Sequence, residues 1–181
     1  MCTFCQTPDG RAIVYRADAP NTTRDIWLLP LSGERKAVPL LNTTYDEKQP
    51  RVSPDAKWLA YVSNESGREE VYVRPLMTAA GRVLVSAGGA GEPVWAPDAR
   101  HLYYRTADRL IEATLTVGPS LGIASRRVVF SGPYASDVFH ANYDVAPDGR
   151  SFLMIRPATS VQRLVMVVNW GRILRRFGGA Q

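Results

Sequence analysis

Ser53-Pro54-Asp55-Ala56-Lys57-Trp58-Leu59-Ala60-Tyr61-Val62-Ser63 sets a turn directly against a strand. Proline presets φ and aspartate bonds its own nearby backbone, which is turn chemistry. The residues after Lys57 are apolar without a clean alternation, as in a strand covered on both faces. The same join occurs three more times. Thr7-Pro8-Asp9-Gly10, Ala96-Pro97-Asp98-Ala99 and Ala146-Pro147-Asp148-Gly149 are each followed by an arginine and a strand, over residues 12–17, 101–106 and 151–156. Successive prolines stand 46, 43 and 50 residues apart, a period that marks a propeller or a solenoid. Glycine accepts the positive φ of a tight hairpin, whereas alanine at 56 and 99 predicts a different geometry for those two turns.

Further strands follow each turn. Third strands are predicted over 25–31 and 70–76, with weaker equivalents at 109–115 and 163–169. Outer strands are predicted over 37–41, 83–86 and 128–131, and none after Asn169. Polar or glycine-rich linkers such as Gly88-Gly89-Ala90-Gly91 join them, and no long helix interrupts the series. The fold class is therefore all-β: a β-propeller, partial or four-bladed, built of four-stranded antiparallel blades, with the last blade lacking its outer strand. The chain reads as one propeller region over 1–181, with blades at approximately 1–45, 46–89, 90–138 and 139–181. It begins inside a first strand near Thr3, so ring closure requires strands or blades from elsewhere.

Pro93-Val94-Trp95-Ala96-Pro97-Asp98 resembles the Pro-x-Trp-Ser-Pro-Asp-Gly signature of the TolB-like (WD40-like) propeller family, and the likeness runs through all four repeats. Ser53-Pro54-Asp55, the stretch from Ser63-Asn64-Glu65-Ser66-Gly67 to Val71-Tyr72-Val73, and Val167-Val168-Asn169-Trp170 are similar to propellers at the C-terminus of bacterial receptor-type serine/threonine kinases. The resemblance implies a sensor or protein-interaction module within a six- to eight-bladed ring, with a protein or peptide partner. It also allows an extracytoplasmic setting. A substrate-gating propeller of the prolyl-oligopeptidase type, separated from its hydrolase domain, is the alternative.

The remaining sequence offers little chemistry. Net charge is +5 from 22 basic and 17 acidic residues spread through the repeats, which suits solubility better than nucleic-acid binding. Arg172, Arg175 and Arg176 beside Ile173, Leu174 and Phe177 read as an amphipathic last turn. No secretory signal is visible, and no apolar run is long enough to cross a bilayer. The chain is read as carrying no nucleophile elbow of the Gly-x-Ser-x-Gly type, no kinase motif and no cofactor. His101 and His140 are read as packed or solvent-edge histidines. Cys2-Thr3-Phe4-Cys5 lacks the second ligand pair of a zinc site and the helix start of a redox motif.

Aligned on their turns, the innermost strands carry Thr3, Gln49, Glu92 and Asn142 five positions before each proline, and Cys5, Arg51, Val94 and Asp144 three before it. Alternation puts both sets on one strand face, and the innermost strands of a propeller line its central channel. Gln49, Arg51, Glu92, Asn142 and Asp144 are therefore the candidate ligand contacts at the channel mouth. Polar residues at strand ends also serve simply to satisfy neighbouring backbone groups. The turn residues Pro8, Asp9, Pro54, Asp55, Pro97, Asp98, Pro147 and Asp148 are structural. Trp27, Tyr61, Tyr72, Trp95, Tyr103 and Tyr104 are assigned to packing between blades. An open-ended array also invites a second copy to complete an eight-bladed ring, which light scattering discriminates.

Overall fold

The structure, a computed structural model, describes residues 4–20, 22–78, 81–117 and 121–157. Thr3, Cys2, the strand predicted over 163–169, the match at 167–170 and the tail arginines lie outside the described residues.

Three four-stranded antiparallel sheets follow one another. Blade 1 holds β1 (Phe4–Gln6), β2 (Ala12–Ala19), β3 (Thr23–Pro30) and β4 (Val38–Leu41), paired in that order. Blade 2 holds β5 (Glu47–Val52), β6 (Trp58–Ser63), β7 (Glu70–Pro75) and β8 (Val83–Leu84). Blade 3 holds β9 (Gly91–Trp95), β10 (His101–Thr106), β11 (Arg109–Val117) and β12 (Leu121–Ser131). The first two strands of a fourth follow as β13 (Tyr143–Val145) and β14 (Phe152–Met154). This is an all-β partial propeller. The outer strand expected over 128–131 instead begins at Leu121, because β11 and β12 form one long hairpin paired from Arg109↔Ser131 to Val117↔Leu121.

The four turns repeat one hydrogen-bonding scheme. Asp9, Asp55, Asp98 and Asp148 accept the backbone N–H of Arg11, Lys57, Arg100 and Arg150 at 3.0, 3.2, 2.9 and 2.9 Å. Thr7 and Ser53 donate their hydroxyls to the same aspartates at 2.6 Å and accept the amides of Ala12 and Trp58. The different geometry expected at Ala56 and Ala99 is not found. Their φ values, 57° and 56°, match the left-handed 70° and 67° of Gly10 and Gly149, since closure of the same hairpin outweighs the alanine penalty. Ala56→Gly should relieve about 1 kcal/mol of that strain, offset in part by about 0.5 kcal/mol of unfolded-chain entropy. A small rise in urea midpoint is expected; an unchanged or lower midpoint would show that Ala56 is unstrained.

Side-chain alternation sorts the core into layers between blades. On β6, Leu59 and Tyr61 pack against Val14, Ile26 and Leu28 of blade 1, while Ala60 and Val62 face Leu102, Tyr104 and Ala113 of blade 3. On β10, Tyr103 turns the other way, onto Tyr143 and Phe152. The aromatic residues meet at these layers, with Tyr61 stacked on Tyr72 at 5.7 Å and Tyr103 edge-on to Phe152 at 4.9 Å. Burial on both faces holds for the middle blades, where Leu59, Ala60, Tyr61, Leu102, Tyr103 and Tyr104 are all buried. It does not hold for blade 1. Ile13, Tyr15, Trp27 and Leu29 lie on the face opposite the blade 2 contact and stay half-buried, because a sheet is covered only where another blade stacks on it.

Candidate functional site at the channel mouth

The alternation expected along the inner strands is interrupted where it matters. Gln49 and Glu92 both adopt left-handed backbone, φ 53° and 56°. A register shift accompanies each, between Lys48 and Arg51 in β5 and opposite Tyr103 and Arg105 in β9. Such a bulge leaves an extra residue without a ladder partner and re-aims its side chain. The proline after each, Pro50 and Pro93, adds a reason for the break, since a residue preceding proline is kept from the right-handed helical region.

These bulges separate the five candidate residues into two groups. Gln49 and Glu92 are 3% and 2% exposed and face each other across the blade 2 to blade 3 boundary, where Gln49 Oε1 accepts the Glu92 amide at 2.7 Å. Burial pushes the Glu92 carboxyl above its ordinary value, opposed by the Asp137 amide and the Arg105 charge. Tyr143 donates its hydroxyl to the Glu92 carbonyl at 2.8 Å, tying β13 of the fourth blade to the same point. Arg51, Asn142 and Asp144 instead share a cleft of about 720 Å³ with Pro8, Pro54 and Trp95. Arg51 and Asn142 are half-buried and Asp144 is exposed. The wall is fixed by Trp95 Nε1, which donates to the Arg51 carbonyl at 3.0 Å.

Between the groups runs a segment that the sequence reading missed. Residues 132–142 leave the outermost strand of blade 3 and return to the centre as the entry to β13. This strap touches the other blades in turn. Arg105 of blade 3, 4% exposed, donates to the carbonyls of Tyr134 at 3.1 Å and Ala135 at 3.0 Å. Glu92 Oε1 accepts the Asp137 amide at 2.6 Å, and Gln49 Nε2 of blade 2 donates to the Asp137 carbonyl at 3.0 Å. Over blade 1, the Phe139 ring lies 5.1 Å from the Arg16 guanidinium and 5.9 Å from that of Arg24. Nothing in the local pattern of 132–142 announces this, because the contacts are made by residues 29 or more positions distant.

The histidines serve their own turns: His101 Nδ1 lies 2.6 Å from Asp98 and His140 Nδ1 3.7 Å from Asp137. The absence of a Gly-x-Ser-x-Gly sequence needs correction, because Gly118-Pro119-Ser120-Leu121-Gly122 matches it. Residues 118–120 lie outside the described residues, but their flanks pair antiparallel at Val117↔Leu121 and the chain continues as strand β12. A nucleophile elbow requires a strand-to-helix turn, so this match is a hairpin connection. The glycine loop at Gly88-Gly89, whose amides could suggest a phosphate cradle, is likewise filled from within, as both amides donate to Glu70 Oε1 at 2.9 Å. Among the described residues no group of three or more His, Cys, Asp or Glu side chains is arranged to hold a metal.

No family model matches this sequence. A TolB homolog from Chlorobaculum tepidum is 27% identical over 121 residues, covering 60% of this chain and 27% of that protein. The structure is similar to TolB from Acinetobacter baumannii, with TM-score 0.63 and 16% identity over 89% of this chain and 39% of that one. It is similar also to a putative TolB from Agrobacterium tumefaciens, with TM-score 0.59 and 14% identity over 86% of this chain and 57% of that one. A puromycin-hydrolyzing peptidase of Mycobacterium tuberculosis aligns with TM-score 0.59 and 19% identity over 81% of this chain and 26% of that chain. The fold is that of a TolB-like propeller, and the chain spans about a quarter of the curated relative's length.

Proposed function

We propose that this chain is a non-catalytic binding propeller, a run of four blades within residues 1–181, that takes a protein or peptide partner at the end of its central channel. The observation that supports this is the cleft of about 720 Å³ in which blades 2 and 4 place Arg51, Asn142 and Asp144 beside apolar Pro54 and Trp95. An apolar wall with a few convergent polar groups is the usual composition of a recognition site. Its opposite charges, Arg51 and Asp144, suit a polypeptide carrying both signs. The sequence likeness at residues 53–55 and 63–73 supports the finer reading, a sensor propeller at the C-terminus of a receptor-type serine/threonine kinase. On this reading a further blade, from the same polypeptide or a second copy, stacks on the half-buried Ile13, Tyr15, Trp27 and Leu29 of blade 1.

The test is selection from a displayed random-peptide library. The chain should enrich a defined set of peptides, and Arg51→Ala with Asn142→Ala and Asp144→Ala should weaken their binding at least about tenfold, ~1.4 kcal/mol, with the circular-dichroism spectrum unchanged. Equal binding by the folded triple variant would remove this cleft as the site. The likeness to the mycobacterial peptidase supports a second reading, a propeller that gates substrate entry to a hydrolase. The full reading frame separates the two, through a kinase domain and membrane span upstream or a hydrolase domain downstream.

A further inference from the structure

We propose that Gln49 and Glu92 form a receptor for an extended peptide backbone, and that residues 134–140 of this chain occupy it in cis. The inference rests on the reading that this end of the channel binds a polypeptide, and it adds the ligand class and the means of control.

Gln49 and Glu92 come from equivalent bulges of adjacent blades, and both are buried in left-handed conformation. Between them they take both backbone groups of one residue: Glu92 Oε1 accepts the Asp137 N–H and Gln49 Nε2 donates to its C=O. That pairing reads a peptide unit irrespective of its side chain, as a strand edge would. Arg105 extends the reading N-terminally through two further carbonyls. Specificity comes from the neighbouring positions. Asp137 Oδ1 accepts the Phe139 amide at 2.6 Å and turns the chain, so that Phe139 sits over Arg16 and Arg24. Guanidinium groups over a ring favour an aromatic side chain there. The ligand class is therefore an extended segment carrying an acidic residue, any residue and an aromatic one, in that order.

The strap is built to be displaced. Val138 is 52% and Phe139 38% exposed, so the segment buries little apolar surface, and segments held in this way open at low free-energy cost. A cleft of about 330 Å³, lined by Gln49, Glu92, Arg105 and Asp137, runs along it and gives an incoming chain a place to start.

The probe is the strap itself, a synthetic peptide Pro-Tyr-Ala-Ser-Asp-Val-Phe-His-Ala, presented to the full chain in which 134–140 is replaced by glycine and serine. The replaced chain should bind it at least about tenfold more tightly than the unreplaced chain does, and Gln49→Ala with Glu92→Ala, or phenylalanine to alanine in the peptide, should reverse the gain. No binding by a folded replaced chain, or binding indifferent to Gln49 and Glu92, overturns the proposal. If the replaced chain does not fold, hydrogen exchange on the intact chain decides. Phe139→Ala should speed exchange of the Asp137 amide about tenfold while β6 and β10 amides keep their protection; an unchanged Asp137 amide, or faster exchange throughout, overturns it. The library selection depends on Arg51, Asn142 and Asp144, so its outcome stands apart from the strap peptide's.

Discussion

Glu70→Ala should cost about 3–4 kcal/mol of unfolding free energy, the loss expected when one partner is removed from a buried, fully bonded charge. Glu70 is 1% exposed, and its Oε1 accepts Arg68 Nε at 2.8 Å and the amides of Gly88 and Gly89 at 2.9 Å each. Its other oxygen accepts the Ser86 hydroxyl, which in turn takes the Val71 amide at 2.8 Å. Burial on its own would raise this carboxyl. The bonds from Ser86, Gly89, Arg68 and Gly88 outweigh it and hold the group below the usual carboxylate range. The two glycines, at φ 92° and 94°, aim both amides at one point, a geometry closed to alanine. Without the carboxylate those amides have no partner inside the blade, and the loop leading into β9 and its bulge at Glu92 is released. Urea denaturation checks the size of the loss. Glu70→Gln keeps one carbonyl acceptor and should lose roughly half as much; a loss below about 1 kcal/mol for Glu70→Ala would mean that water replaces the carboxylate.

The same loop shows what a sequence reveals and what it withholds. Gly88-Gly89 is legible as a connection, since two glycines after a strand offer no helix and no buried side chain. That it encloses an anion is not legible, because the anion stands 18 residues earlier on a strand. The Pro-Asp turns are the opposite case. Every bond that defines them falls within five residues, so their register and the strands behind them could be placed almost to the residue, as at 58–63 and 101–106. The inward residues fall between these cases. A period of two located Gln49 and Glu92 on the channel strands, but a single left-handed residue in each moved them away from Arg51 and toward the strap. Bulges follow from how three strands from different blades meet at the centre, which is information a repeat does not contain.

Raising the pH should weaken the wild-type chain through one acid near blade 1, and Glu47→Gln should abolish that loss. Glu47 is 1% exposed and its carboxyl is pushed up to about 7, chiefly by burial and also by the negative charges of Asp25, Glu65 and Asp46, against a hydrogen bond from Thr43. A carboxyl whose folded value exceeds its unfolded value of 4.5 contributes fully below the unfolded value, where both states are protonated. The contribution then falls as pH rises, because the unfolded chain ionises freely while the folded chain resists, and the loss is complete above about pH 7. Glu70, held low, acts with the opposite sign and loses its contribution only as pH falls through its folded value. The carboxamide introduced by Glu47→Gln keeps an acceptor for Thr43 and carries no charge into the company of Asp25, which is itself fully buried. Near pH 5 the variant should match the wild type within about 0.5 kcal/mol, and near pH 8 it should be more stable by about 2 kcal/mol. Urea midpoints at the two pH values measure the difference, and an equal offset at both would show that Glu47 does not titrate in this range. Because Asp46, the preceding residue, holds Arg24 at 2.6 Å, beneath the Phe139 ring, this charge balance also bears on the strap. Ionising Glu47 adds negative charge beside the arginine pair, which strengthens their hold on Asp46 and Asp18 at the expense of the ring. Exchange at the Asp137 amide should therefore quicken between pH 5 and 8 beyond the intrinsic base-catalysed rise, by a factor that Glu47→Gln removes.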